Sequence, residues 1–90
     1  MKLLWTARGW DDYLYWQGTD AKMLARINEM IRDARRSPFS GIGKPEPLRN
    51  EMSGCWSRRI NHEHRLVYRV TGSGDTQALE VAACRFHYAR

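Results

Sequence analysis

Cysteine, proline and long apolar runs are all scarce in this chain of 90 residues, and each scarcity excludes something. Two cysteines, Cys55 and Cys84, are too few for a disulfide scaffold, and they read as reduced, small apolar groups. The three prolines, Pro38, Pro45 and Pro47, all fall in residues 37–54, so the rest of the chain is free to form regular elements. No apolar run approaches the roughly 20 residues that span a bilayer. The N-terminus reaches Arg8, Asp11 and Asp12 too soon for a signal peptide, so a cytoplasmic protein is expected. Repeats and low-complexity segments are absent, as are a nucleophile elbow, a P-loop and a Rossmann glycine fingerprint.

The composition is that of a soluble globular protein, 42% hydrophobic and 28% charged, read as one domain over residues 1–90. A net charge of +5 favours anionic partners. The basic residues Lys44, Arg49, Arg58, Arg59, Arg65, Arg69 and Arg85 fall in or beside the expected sheet. For any one of them, a solvated surface charge is the simpler reading.

Lys2 to Thr6 is short, apolar and aromatic and predicts a strand, with Gly9 marking a turn. Trp10, Tyr13, Leu14 and Gln17 then share a helical face, with Asp11 and Asp12 near the positive end of the dipole and Gly18 as the stop. After a cap at Thr19 or Asp20, Met23, Leu24, Ile27, Met30, Ile31 and Ala34 form an apolar stripe, read as core rather than partner groove. Ser37-Pro38 ends this helix, and residues 37–54 are expected to be a partly ordered loop. A hairpin follows from Trp56 to Val70. Alternation puts Leu66, Tyr68 and Val70 inward, and leaves Arg59, Arg65 and Arg69 on the uncovered side. A last strand runs from Ala78 to Phe86, with Leu79, Val81 and Ala83 in phase with Arg85 and His87. The predicted class is α+β, in the order β-α-α-β-β-β, with two helices on one face of an antiparallel sheet.

His62 and His64 are alternate residues, and His87 or Glu46 could complete a metal triad. The clustered spacings that mark a zinc site are absent, and Glu63-His64 reads as an exposed hairpin turn, so no metal or other cofactor is expected. Glu46, held between two prolines, several arginines and His87 form a more coherent set. Cleavage of RNA by internal 2′-OH attack needs a base, an acid for the leaving 5′-oxygen, and cations for the phosphorane charge. Arginine suits the last role because its planar fork matches phosphate oxygens. Tyr88 could donate a hydrogen bond or stack on a base. The same residues also fit a non-catalytic RNA- or DNA-binding module on the basic sheet face.

Five stretches carry a family resemblance: Trp10 to Trp16, Gly43 to Leu48, Ser53-Gly54 with Trp56 to Ile60, His64 to Tyr68, and Ala82 to Arg85 with His87-Tyr88. Together they resemble the YoeB/Txe-type toxins of the RelE superfamily, the toxic halves of bacterial toxin–antitoxin pairs. The resemblance implies a RelE-like fold and a ribosome-dependent endoribonuclease that cuts mRNA in the A site. It implies neutralisation by a YefM-like antitoxin, binding of operator DNA only together with that antitoxin, and allows a toxin homodimer. By resemblance, Glu46 is the general base, Arg65 stabilises the transition state, His87 is the general acid and Tyr88 lies near the site. Lys44, Arg49, Arg58 and Arg59 match basic positions that contact RNA or ribosome. Arg49 stands where lysine is common, Cys55 and Phe86 replace bulkier or hydroxylated aromatics, and Ala89-Arg90 extend past the usual His-Tyr end.

Overall fold

The structure, a computed structural model, describes residues 1–87. Strand β1 (Lys2–Trp5) leads into helix α1 (Ala7–Thr19) and helix α2 (Ala21–Arg36). Strands β2 (Glu46–Pro47), β3 (Trp56–Arg59), β4 (Arg65–Thr71) and β5 (Ala78–Ala83) complete one sheet, in the order β1-β5-β4-β3-β2. Two features correct the expected antiparallel four-strand sheet. The 37–54 loop contributes β2 as a fifth, edge strand. In addition, β1 pairs with β5 in parallel, so the sheet is mixed. Both prolines flanking Glu46 are tolerated there because an edge strand need not donate on its outer side.

Helix α1 starts earlier than its spacing suggests, because Thr6 caps it by accepting from Gly9 N–H at 3.0 Å. Gly9 is therefore not a turn but a contact point. A Cβ there would lie 2.3 Å from the Val81 carbonyl oxygen, so the missing side chain lets α1 sit directly on β5. The inward face of α1 is Gly9, Asp12 and Trp16, whereas Trp10 and Leu14 are 45% and 43% exposed. Asp20 ends α1 and caps α2, accepting from Lys22 and Met23 N–H. The apolar stripe of α2 is core as expected: Ile27, Met30, Ile31 and Ala34 pack with Leu66, Tyr68, Leu79 and Val81.

One irregularity flips the end of β5. Val67 pairs with Ala83 but Tyr68 pairs with Val81, so Ala82 is an extra residue in β5. Ala83 consequently leaves the phase of Leu79 and Val81 and packs with Leu48 and Val67 on the open face, while Cys84 takes the core side. That bulge redirects the chain just before Arg85, Phe86 and His87.

Candidate active site

Register alone gathers Glu46, Arg59 and Arg65 on the open face of the sheet. Glu46 pairs with Ser57, Ser57 with Val67, and Val67 with Ala83, so one row crosses four strands on that face. Two residues farther along, Arg59 pairs directly with Arg65. Strand spacing puts Glu46 and Arg65 about 10 Å apart across the sheet and about 7 Å along it, a gap that a phosphodiester and a long guanidinium can bridge. Arg65 N–H donates to the Phe86 carbonyl at 3.1 Å, which brings the chain entering His87 beside Arg65. His87 is half-buried, and Tyr88 lies outside the described residues.

Glu46 is exposed, with its backbone direction fixed by Pro45, Pro47 and the pairing to β3. The following turn is closed by Leu48 N–H on the Cys55 carbonyl at 2.9 Å. A surface cavity of about 470 Å³ is lined by Glu46, Pro47, Leu48, Arg49 and Asn50. Lys44 and Arg49 are exposed on either side of Glu46. Lys44 has φ +53 and Asn50 φ +58, left-handed conformations in which the chain bends sharply around β2. A second cavity of about 270 Å³ on the open face has an apolar floor of Met52, Val67, Ala82 and Ala83, with Arg8 and Arg85 at its rim. A concavity bounded by Leu3, Trp5, Tyr13 and Arg35, on the helix side, contains none of the candidate residues.

Placing Arg59 opposite Arg65 is unfavourable for the fold. Like charges directly across an antiparallel pair repel, at a cost of about 0.2–1 kcal/mol. Arg59 is exposed, and Arg65 Nη1 donates to the Asn61 and His64 carbonyls at 2.7 and 3.1 Å.

Arg58, expected to contact RNA or ribosome, does not belong to this surface. Its side chain is 0% exposed and lies on the helix side of β3. All five of its N–H groups find protein acceptors. Nε donates to Tyr68 Oη at 2.9 Å; Nη1 donates to Asp33 Oδ2 at 2.6 Å and the Ile42 carbonyl at 3.0 Å; Nη2 donates to the Ser37 and Ser40 carbonyls at 2.7 and 2.8 Å. Tyr68 Oη in turn donates to the Pro38 carbonyl at 2.6 Å. The Arg58 hydrogen bond, helped by Ile42 N–H, holds the Asp33 carboxyl below its usual 3.8. Arg58 thus ties segment 37–42 beneath the sheet, and Gly43 carries the chain onward to β2 at φ +80, where a Cβ would meet Met30 Cε at 2.3 Å. The alternation Trp56-Arg58-Ile60 was the signal that this arginine points inward.

His64, expected at an exposed turn, is instead 7% exposed and packs edge-on against Trp16 with ring centres 4.9 Å apart. Asn61 Oδ1 accepts from Glu63 and His64 N–H at 2.8 and 2.7 Å, folding the turn so that His64 points inward. His62 is exposed. Among the described residues, no three of His, Cys, Asp and Glu are grouped to hold a metal ion. Two further residues were missed: Asp12 accepts from Cys84 N–H at 3.0 Å, and Trp16 Nε1 donates to the Cys84 carbonyl at 2.8 Å. Both hold the segment that leads to His87. Phe86 has φ +68, a conformation that costs an aromatic residue on the order of 1–3 kcal/mol.

The family model for the YoeB-like toxin of bacterial type II toxin–antitoxin systems matches residues 5–88. The chain belongs to that family. Escherichia coli toxin YoeB is 59% identical over 88 residues, covering 98% of this chain and all of the relative. The solved YoeB/ParE toxin of Agrobacterium tumefaciens is 64% identical with a TM-score of 0.93, covering 98% of this chain and all of that one. Staphylococcus aureus YoeB has been solved as a dimer (40% identical, TM-score 0.83) and in a heterotetrameric YoeB–YefM complex (42%, 0.84), each covering 98% of both chains. This YoeB-family chain has no helix long and apolar enough to cross a membrane among its described residues.

Proposed function

We propose that this toxin is a ribosome-dependent mRNA interferase whose chemistry takes place on the open sheet face. The observation that carries the reading is the Arg59–Arg65 pair, two cations directly opposite each other in a sheet that also presents Glu46. Such a pair is unfavourable alone and favourable around a phosphodiester, whose charge grows as the phosphorane forms. Glu46 removes the 2′-OH proton, and O2′ attacks the adjacent phosphorus. Arg65, with Arg59 beside it, holds the equatorial oxygens. His87 protonates the departing 5′-oxygen, leaving a 2′,3′-cyclic phosphate and a 5′-OH. The apolar cavity at Met52 and Val67, rimmed by Arg8 and Arg85, suits a flanking base. Tyr88 completes the set by resemblance, and Lys44 and Arg49 serve as phosphate contacts.

The staphylococcal complex supports an antitoxin of the YefM kind as partner; by resemblance, operator DNA is bound only by toxin and antitoxin together. The staphylococcal dimer supports self-association of this chain. The setting for all of this is the cytoplasm. The test is to incubate the toxin with mRNA, with and without programmed ribosomes, and map the product ends. A-site cuts with 5′-OH ends, only on ribosomes, are expected. Intact transcripts in both cases overturn the reading in favour of a non-catalytic nucleic-acid-binding module, and equal cutting of naked RNA overturns ribosome dependence.

A further inference from the structure

We propose that His64 is a positioning residue: it holds Phe86 in the left-handed backbone region and so sets the direction from which His87 enters the site. The inference rests on the reading of His87 as the general acid.

A phenylalanine at φ +68 is a rare conformation, and here the side chain does not explain it. Phe86 is 46% exposed, its ring beside the Arg85 guanidinium at 4.4 Å and tilted against the His64 ring with centres 5.9 Å apart. Its backbone, by contrast, is held from both sides by consecutive residues of β4 and its preceding turn. Phe86 N–H donates to His64 Nδ1 at 2.7 Å, and the Phe86 carbonyl accepts from Arg65 N–H at 3.1 Å. Two residues earlier, Asp12 and Trp16 hold the N–H and carbonyl of Cys84. Each of these fixed points lies on α1 or at the start of β4, so the exit from β5 is clamped to two rigid elements. His64 can accept at Nδ1 only when that nitrogen carries no proton, which places the ring proton on Nε2, toward Glu63 Oε1 at 3.6 Å. A histidine that merely filled space would pack its ring on Trp16. This one also aims a lone pair at the amide of the strained residue immediately before His87.

The Ala82 bulge, the Cys84 clamp and the left-handed turn at Phe86 therefore act in series. Together they turn the chain out of β5 and back toward Arg65. His64 links the hairpin that carries Arg65 to the segment that carries His87, alongside the Arg65 N–H on the Phe86 carbonyl, so two contacts place the cation and the acid against each other. General-acid catalysis is sensitive to such placement, since a shift near 1 Å can cost about 10²-fold in rate.

Three variants separate positioning from packing. His64→Phe keeps a ring against Trp16 but removes the acceptor. His64→Asn keeps an acceptor close to the place of Nδ1 but removes the ring. His64→Phe with Phe86→Gly removes the acceptor and also the penalty for φ +68. Each is read by single-turnover cleavage and KM on programmed ribosomes, by thermal midpoint, and by the NMR signals of the His87 amide in the free toxin. For His64→Phe, a loss in kcat of about 10- to 100-fold with KM within about two-fold is expected, together with displaced His87 signals. His64→Asn should regain most of kcat despite a lower thermal midpoint, and the added glycine should regain part. Unchanged kcat and unchanged His87 signals in His64→Phe overturn the proposal. So does a loss that His64→Asn and the glycine both fail to repair. If the wild-type toxin does not cleave, the reading of the site fails, and the His87 signals still decide whether His64 places that residue.

Discussion

Arg58 and Arg59 are neighbours in β3 with the same side chain, and they belong to different chemistries. On the helix-covered face, Arg58 is sealed from water and every donor has a protein partner. On the open face, Arg59 is exposed and stands opposite Arg65. The first cation stabilises the fold because its partners are preformed. The second leaves an unbalanced positive charge in the sheet, which is what a phosphate-binding surface needs. The difference shows that a basic count in a strand says little until each residue is assigned a face.

The largest expected effect is on the covered face. Arg58→Met removes the buried partner of the Asp33 carboxylate, which keeps only Ile42 N–H and the exposed Arg36, and strands three loop carbonyls, at a cost of about 3–5 kcal/mol, read as a lowered urea midpoint. Arg59→Met should stay within about 0.5 kcal/mol of wild type. Equal costs for the two would erase the contrast between the faces. On the open face, Glu46→Gln should slow cleavage by about 10²–10³-fold while stability moves by no more than about 0.5 kcal/mol, checked by single-turnover kinetics beside a thermal melt. Slow cleavage that tracked the loss of stability would mean the residue is structural.

Acid sharpens the comparison on the covered face. The Asp33 carboxyl is held below 3.8 by Arg58, so its stabilising contribution is complete above that pH and is lost as pH falls through the depressed value. Wild type should therefore lose stability on acidification in that window, and Asp33→Asn, already weakened at neutral pH, should show a flatter profile there. The smallest effect is chemical. Burial pushes the Cys84 thiol up to about 12, whereas Cys55 is half-exposed on the open side. Iodoacetamide under native conditions should modify Cys55 first, and mass spectrometry of the labelled peptides reads the order.

Much of the architecture was legible in the sequence because it follows from period. The α2 stripe and the inward set Leu66, Tyr68 and Val70 are matters of spacing. Helix α1 was misread at its face because two of its three inward residues are a glycine and an aspartate, which no apolar count detects, leaving Trp16 alone to mark that face. The bulge at Ala82 was invisible because an inserted residue leaves a plausible alternation on both sides of it. His64 was read as exposed because the turn around it is folded by an asparagine side chain, a contact that depends on three-dimensional closure.

The sequence by itself determined the two helices and the hairpin, since residue type and local spacing suffice for these, and its resemblance to a known family pointed to Glu46, Arg65 and His87 as a candidate set. The tertiary structure alone decided which arginine faces water, that the proline-framed loop becomes an edge strand, and that Arg65 and the approach to His87 are joined through His64 and Phe86. Those outcomes depend on partners distant in the chain, whose contacts exist only once the sheet has paired and α1 has closed onto β5.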